Sequence, residues 1–174
     1  GGYNDCSDAS LNVFGNGLST ITGTISAPAI TVTNANINLT NLELTNGIRG
    51  LTIDMNNFAA EINLESVVTS FNAQGIRIDN NAASPGLSVN ANNIKSHNNS
   101  AGSSGNGGGL SCSSTSSAST TIVVTGNSGF YDNVANVGGG IYLENCDMSM
   151  SRGQLNTNTE GIKNNSSTFL GGGV

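Results

Sequence analysis

The sequence contains little charge, and most of that charge is acidic. Charged residues make up 9% of the 174-residue chain, with five Lys and Arg against eleven Asp and Glu, for a net charge of −6. Binding to nucleic-acid phosphates requires clustered basic side chains, so this deficit argues against a nucleic-acid partner. No apolar run approaches the roughly 20 residues of a membrane-spanning helix, so the sequence predicts no membrane span.

Helix-forming patterns are also missing. Tryptophan is absent, proline occurs twice, and no window carries apolar residues at the spacing of an amphipathic helix. The chain instead contains 24 Gly and abundant Asn, Ser and Thr. Gly and Asn tolerate the left-handed backbone conformations that tight corners require. Disordered polar chains normally have few β-branched residues and no periodicity. This chain has many β-branched residues and a clear periodicity, so we predict an all-β fold.

Six short stretches share one pattern, in which a small residue precedes alternating apolar and polar residues. They begin at Ala29, Gly50, Gly75, Gly109, Gly140 and Gly161, at intervals of 21, 25, 34, 31 and 21 residues. Alternation of period two indicates strands with one buried face, and recurrence at such intervals is typical of a solenoid. We predict a parallel β-helix (β-solenoid) of about six coils over residues 29–174, and a cap or irregular first coil over residues 1–28.

Aligning the six stretches predicts two inward-facing columns. The first is Ile30, Leu51, Ile76, Leu110, Ile141 and Ile162, and the second is Val32, Ile53, Ile78, Cys112, Leu143 and Asn164. The column between them is polar or amphipathic: Thr31, Thr52, Arg77, Ser111, Tyr142 and Lys163. A slip of one residue would exchange the two faces, so this sorting supports the predicted register.

Asparagine recurs shortly before the repeated strands. The candidates are Asn46, Asn72, Asn98 or Asn99, Asn133 and Asn158. At one corner of successive coils these side chains could hydrogen-bond one another as a ladder. The alternative is that each Asn is only a favourable turn residue, and the sequence leaves both open.

The three cysteines allow two interpretations. Cys112 lies in an inward column, and Cys146 lies three residues beyond Leu143, the matching position of the next coil. A Cys112–Cys146 disulfide requires the corner to fold Cys146 back, and the alternative is buried free thiols. Cys6 would then be unpaired, which in a secreted protein indicates a partner outside this chain.

Two segments resemble repeats of a known group of proteins. Phe130-Tyr-Asp-Asn133 with Gly138-Gly-Gly-Ile141, and more loosely Asn99-Ser-Ala101 with Gly107-Gly-Gly-Leu110, resemble the FxxN and GGxI repeats of polymorphic outer-membrane autotransporter passengers and other bacterial right-handed parallel β-helix proteins. Gly1-Gly-Tyr-Asn-Asp-Cys6 resembles the opening segment of secreted proteins of the pectin-lyase-like superfamily. The resemblance implies a right-handed helix and a secreted or cell-surface location, and it specifies no reaction.

Many proteins of this fold cleave polysaccharides, using Asp or Glu with calcium and a basic residue, or paired Asp residues as acid and base. The matching candidates here are Asp54 and Asp79 on neighbouring strands, with Arg77 beside them and Glu144 two strands further on. Asp54 and Asp79 are also the candidate calcium ligands. The competing interpretation is that these residues are solvated strand ends. Tyr142 is the one aromatic residue nearby on which a sugar could stack. The single histidine, His97, has no Ser, Cys or carboxylate at a spacing typical of a catalytic pair.

These observations favour a structural or adhesive extracellular module, either a head-to-tail filament subunit or a segment of a larger surface protein, without a required cofactor. The C-terminal residues Ser167 to Val174 begin a further rung, so the expected partners are a copy of the chain or further coils of a parent chain. The alternative function is a polysaccharide lyase or glycoside hydrolase, with polysaccharide as the partner and calcium as a candidate cofactor.

Overall fold

The computed structural model describes residues 17–57, 59–81, 86–115, 119–151 and 161–170. Within these ranges the chain forms sixteen strands and no helix, so the fold is all-β and contains no helix that could cross a membrane. The strands are β1 (Ser19–Thr22), β2 (Ile30–Thr33), β3 (Ile37–Thr45), β4 (Arg49–Met55), β5 (Ala60–Ser70), β6 (Gln74–Asn80), β7 (Leu87–Asn92), β8 (Lys95–His97), β9 (Leu110–Ser114), β10 (Thr120–Thr125), β11 (Gly129–Tyr131), β12 (Val134–Val137), β13 (Ile141–Glu144), β14 (Asp147–Met150), β15 (Gly161–Lys163) and β16 (Ser166–Leu170).

The strands form three sheets. One has five strands in the order β13-β9-β6-β4-β2, one has nine strands built around β10, β7, β5, β8 and β11, and one pairs β12 with β16. All pairings between these strands are parallel. The chain passes repeatedly between the first two sheets, so each pass lays new strands beside those of the pass before. Strand β1 pairs with β3, so the predicted cap region includes a strand of the nine-stranded sheet, while residues 1–16 lie outside the described residues.

The five-stranded sheet has the predicted register for the first five stretches. Ile30, Leu51, Ile76, Leu110 and Ile141 are successive Cα partners, as are Val32, Ile53, Ile78, Cys112 and Leu143. Most of these side chains are buried, and Ile30 and Leu143 are partly buried against the same core. Burying an aliphatic side chain of this size contributes about 1.5–3 kcal/mol, so the two columns supply much of the stability.

The sixth stretch lies in a different sheet from the one predicted. Ile162 is the partner of Phe130 in the nine-stranded sheet, and it does not continue the column of Ile141. Asn164 adopts a φ of 50° in the turn after β15, so it does not continue the column of Leu143 either. The error has a physical cause, because strands of both sheets bury alternate residues in one core and therefore share the same sequence pattern.

Four asparagines form a continuous ladder at one corner: Asn72, Asn99, Asn133 and Asn165. Each Nδ2 donates to Oδ1 of the next asparagine, at 3.1, 3.0 and 3.0 Å. The same Oδ1 atoms accept backbone N–H groups at 3.0, 3.1 and 2.9 Å. Each Nδ2 also donates to a backbone carbonyl of an earlier strand.

This network confirms the ladder interpretation and corrects its membership. Asn46 is exposed, and the backbone N–H of Gly47 takes the expected place by donating to Asn72 Oδ1 at 2.9 Å. Asn165 is the member that the sequence alignment missed. Asn158 lies outside the described residues.

The glycines that open three of the stretches, Gly50, Gly75 and Gly109, are required by this polar corner. Thr69 donates to Ser96 at 2.7 Å, and Ser96 donates to the carbonyl of Gly109 at 2.7 Å. A Cβ atom on Gly75 would collide with the Ser96 and Thr69 hydroxyls, and one on Gly109 would lie 2.8 Å from Nδ2 of Asn133. Glycine is therefore needed for the close approach of the strands to the corner side chains.

Candidate functional site

The outer face of the five-stranded sheet carries a cleft of about 540 Å³. It contains most of the predicted site residues together with a wall formed by residues 101–106. The lining residues are Ile48, Arg49, Ala73, Gln74, Arg77, Asp79, Ala101, Ser104, Gly105, Asn106, Ser111, Ser113, Tyr142 and Glu144. Arg77, Asp79 and Glu144 thus share the cleft, whereas Asp54 lies beside it as the register partner of Asp79.

Asp79 is engaged by Arg77. The Nε atom of Arg77 donates to Oδ2 of Asp79 at 2.6 Å, and both side chains are partly exposed. Asp54 instead accepts a hydrogen bond from Nδ2 of Asn56 at 3.2 Å. The two carboxylates therefore have separate partners, and the charge of Asp79 is already compensated by a guanidinium group.

Asp54 and Asp79 would be the residues to hold a cation here. Over the described ranges, no three His, Cys, Asp or Glu side chains come together as a group that could hold a metal ion. Calcium takes 6–8 oxygen ligands, so two carboxylates alone would leave most positions to water or to a ligand.

Glu144 lies in the same register row as Asp79, on the far side of Ser113. Ser113 is the partner of both Asp79 and Glu144, and its hydroxyl donates to Oε2 of Glu144 at 3.0 Å. Two strand spacings therefore separate Asp79 from Glu144, or roughly 9–10 Å between backbones.

Arg49 and Gln74 hold the wall of the cleft against the sheet. Arg49 donates to Oε1 of Gln74 at 3.2 Å, and Nε2 of Gln74 donates to the carbonyl of Asn106 at 2.6 Å. Burial lowers the pKa of Arg49, the positive charge of Arg77 lowers it further, and the charge of Asp79 acts in the opposite direction. The cleft thus presents two neighbouring guanidinium groups and a rigid polar wall.

A disulfide joins Cys112 to Cys146, with a Cα–Cα distance of 6.3 Å. Cys112 is buried in β9, and Cys146 lies in the corner between β13 and β14. Asn145 adopts a φ of 54° immediately before Cys146, and its Nδ2 donates to the carbonyl of Ser114 at 3.0 Å. The left-handed conformation of Asn145 folds Cys146 back toward β9. The disulfide interpretation of the two cysteines is therefore confirmed, and that of buried free thiols is wrong.

The nine-stranded sheet carries a surface that the sequence interpretation missed. Phe71, His97 and Tyr131 form an aromatic stripe on its outer side. The rings of His97 and Tyr131 are stacked, with centroids 4.9 Å apart and planes inclined by 7°. The ring of Phe71 lies 6.4 Å from that of His97 and is inclined by 77°.

The signal for this stripe was present in the sequence. His97 and Tyr131 each stand two residues before a ladder asparagine, and they are register partners. Aligning the chain on Asn99 and Asn133 would have placed the two rings side by side. Alignment of the six repeated stretches alone leaves His97 without a partner, because His97 lies outside all six.

The stripe is partly buried, and this burial affects both titratable rings. Burial lowers the pKa of His97, with Glu43 and Asp132 acting to raise it and Lys95 acting to lower it. Burial also raises the pKa of Tyr131, and the charge of Asp132 adds to this effect. The Nδ1 atom of His97 lies 3.0 Å from Nδ2 of Asn98, so the neutral ring can accept a hydrogen bond there.

Comparison with protein-family models, with curated proteins and with solved structures finds no match to this chain. Function is therefore inferred from the residues of the chain itself. The two surfaces that carry chemistry are the cleft and the aromatic stripe.

Proposed function

We propose that this chain is a right-handed parallel β-helix of about six coils that acts as a rigid structural or adhesive module outside the cell. The observation that carries the proposal is the asparagine ladder, which links successive passes of the chain by side-chain hydrogen bonds from Asn72 to Asn165. Counting β1 as the first pass and β14 with β15 as the last, the nine-stranded sheet receives six passes. Such a stack suits a module that must hold its shape.

The disulfide supports a secreted or cell-surface location, because disulfides persist in oxidising compartments. Antibody labelling of intact source cells tests this location. We expect labelling without permeabilisation and loss of the signal after protease treatment of intact cells. Labelling that requires lysis would contradict an extracellular role.

The outermost strands supply surfaces for further coils or for a second copy. Within the described part of the chain, β1, β2, β13 and β14 each pair with one neighbouring strand. An unpaired edge of a parallel sheet can accept another strand, and head-to-tail contacts of this kind generate filaments. Light scattering across a concentration series should show masses rising in multiples of one chain, whereas a constant monomer mass would contradict self-association.

A second candidate is a polysaccharide-cleaving enzyme acting in the cleft. Asp79 and Glu144 both line the cleft, and glycosidases use a pair of carboxyl groups as acid and base. The ion pair between Arg77 and Asp79 argues against free acid–base roles. We expect no release of reducing ends or unsaturated products from pectin, alginate or glycosaminoglycans. Turnover that disappears in Asp79→Asn, Glu144→Gln, Asp54→Ala or Arg77→Ala would replace the structural proposal.

Calcium binding is tested separately from turnover. Asp54 and Asp79 are the carboxylates that would contact the ion. With Arg77 already bound to Asp79, we expect the melting temperature to be the same with calcium and with a chelator. A calcium-dependent rise that Asp79→Asn abolishes would establish a metal site.

A further inference from the structure

One corner position holds a residue that its backbone conformation disfavours. The residues directly before Gly47 and the ladder asparagines all have positive φ: Asn46 (56°), Phe71 (55°), Asn98 (53°), Asp132 (54°) and Asn164 (50°). Asn and Asp tolerate this left-handed conformation, whereas a bulky residue there is an outlier. Backbone strain of this kind persists at sites where function retains it.

Packing does not account for Phe71. Its side chain is 62% exposed, whereas Phe130, an aromatic residue of the core, is fully buried. The same position on three later passes is filled by Asn98, Asp132 and Asn164, so the corner does not need an aromatic ring. Phe71 is therefore strained and largely exposed, and its ring contact is with His97 at the surface rather than with the core.

The orientation of the rings leaves Phe71 available for a ligand. His97 and Tyr131 lie in parallel planes and cover one face of each other. Phe71 is inclined by 77° to His97, so the two rings do not stack face to face. Within the aromatic stripe, Phe71 contacts His97, and His97 in turn stacks on Tyr131, so Phe71 can present an aromatic face to solvent.

Groups around the stripe are polar and balanced in charge. Glu43 accepts a hydrogen bond from Ser70 beside Phe71, and Asp132 follows Tyr131. Lys95 stands two residues before His97 in β8, and Lys163 is the register partner of Tyr131. Two acidic and two basic side chains favour an uncharged ligand, because neither sign of charge predominates.

We propose that Phe71 is the stacking platform of a binding site for a neutral oligosaccharide. The apolar face of a sugar ring can pack on Phe71, and the flanking carboxylates and ammonium groups can bond its hydroxyls. A protein partner would need about 800 Å² on each side, whereas Phe71 is the one exposed large hydrophobic residue of the stripe. A cavity of about 390 Å³, lined by residues including Val68 and Lys95, offers room for further sugar units.

This inference rests on the adhesive form of the proposed function and names its ligand. Its test uses the intact protein and a panel of soluble neutral polysaccharides (glucan, mannan, galactan and xylan), with polyuronate as the charged comparison. Affinity electrophoresis and saturation-transfer NMR measure binding. The variant is Phe71→Asn, which installs the residue type of the equivalent corners. The control is Ile25→Asn, which makes the same kind of change at an exposed apolar residue outside both the stripe and the cleft.

We expect at least one neutral polysaccharide to bind, Phe71→Asn to weaken this binding at least about tenfold, and Ile25→Asn to leave it unchanged. The melting temperature of Phe71→Asn should equal or exceed that of the parent, which shows that lost binding is not lost folding. Absence of binding by all four neutral polysaccharides, binding of polyuronate alone, or an equal effect of Phe71→Asn and Ile25→Asn would overturn the proposal. None of these results depends on the labelling of intact cells, so the two proposals fail separately.

Discussion

Oδ1 of Asn133 accepts two hydrogen bonds from Asn99, one from the side-chain Nδ2 at 3.0 Å and one from the backbone N–H at 3.1 Å. Both asparagines are buried, so water does not replace either bond. The side-chain oxygens of Asn99, Asn133 and Asn165 each accept from two donors of one neighbour, so each of these side chains links the corners of two successive passes.

Removing one ladder side chain should strongly destabilise the protein. Asn133→Ala leaves the buried backbone N–H of Asn99 without its acceptor and removes one of the acceptors of the Asn99 Nδ2 group. We expect a loss of about 2–4 kcal/mol in the free energy of unfolding. Urea titration measures the loss. The control is Asn90→Ala, which removes a half-buried amide bonded to Asn63 at 3.1 Å and should cost less than about 1 kcal/mol. Equal losses in the two variants would contradict a special role for the ladder.

The aliphatic columns can be tested at Ile78. Its side chain is fully buried between Ile53 and Cys112, so Ile78→Ala should cost about 2–5 kcal/mol through lost burial and a residual cavity. Ile25→Ala removes the same atoms from a residue that is 94% exposed, and it should change stability by less than about 0.5 kcal/mol. A mild effect at Ile78, as measured by chemical unfolding, would show that the column is not part of the core.

Reduction should lower the melting temperature of the parent protein. The disulfide closes a segment with a sequence separation of 34 residues, for which chain-entropy estimates give about 3–4 kcal/mol of stabilisation. Cys146→Ala is the matched variant, since Cys146 is only partly buried. Its melting temperature should be low and unaffected by a reducing agent. A parent protein equally stable with and without reductant would contradict the bond.

His97 should make stability depend on pH. Its pKa in the folded protein is below the ordinary value of 6.5, chiefly because of burial, so the unfolded chain binds the proton more readily. The associated stability is complete above pH 6.5 and is lost as the pH falls through the folded pKa. Urea unfolding at about pH 7.5 and about pH 5.5 should show a larger acid-induced loss in the parent than in His97→Gln. The nearby Glu43, Lys95, Tyr131 and Asp132 are present in both proteins, so they cancel in the comparison. The same pH dependence in both would rule out His97 as its source.

The register of the five-stranded sheet could be read from the sequence because two independent signals coincide there. Alternation assigns Leu51 and Ile76 to the core, and the preceding Gly50 and Gly75 are required by the polar corner. Ile162 was misplaced because alternation alone does not identify the sheet to which a strand belongs. The glycine before it, Gly161, pairs with Gly129 in the other sheet.

The candidate site was predictable in part. Asp54 and Asp79 are register partners as predicted, but the sequence does not reveal that Arg77 bonds Asp79 or that residues 101–106 form a wall of the cleft. The aromatic stripe depends on the direction in which the turn after β5 orients the side chain of Phe71. Phe71 has a left-handed backbone that no pattern of polar and apolar residues encodes.

The position of the disulfide affects how the stack would yield under load. Parallel strands pulled along the stacking direction separate one at a time, beginning at an outer strand, because each is held by a single row of hydrogen bonds. Within the described chain, β13 is an outer strand, and its neighbour β9 carries Cys112. Cys146 lies two residues after the end of β13, so a force applied to β13 is transmitted through the disulfide to the interior strand β9. The last described pass is therefore linked covalently to the pass before it, so separating the two requires breaking the disulfide as well as the hydrogen bonds between β13 and β9.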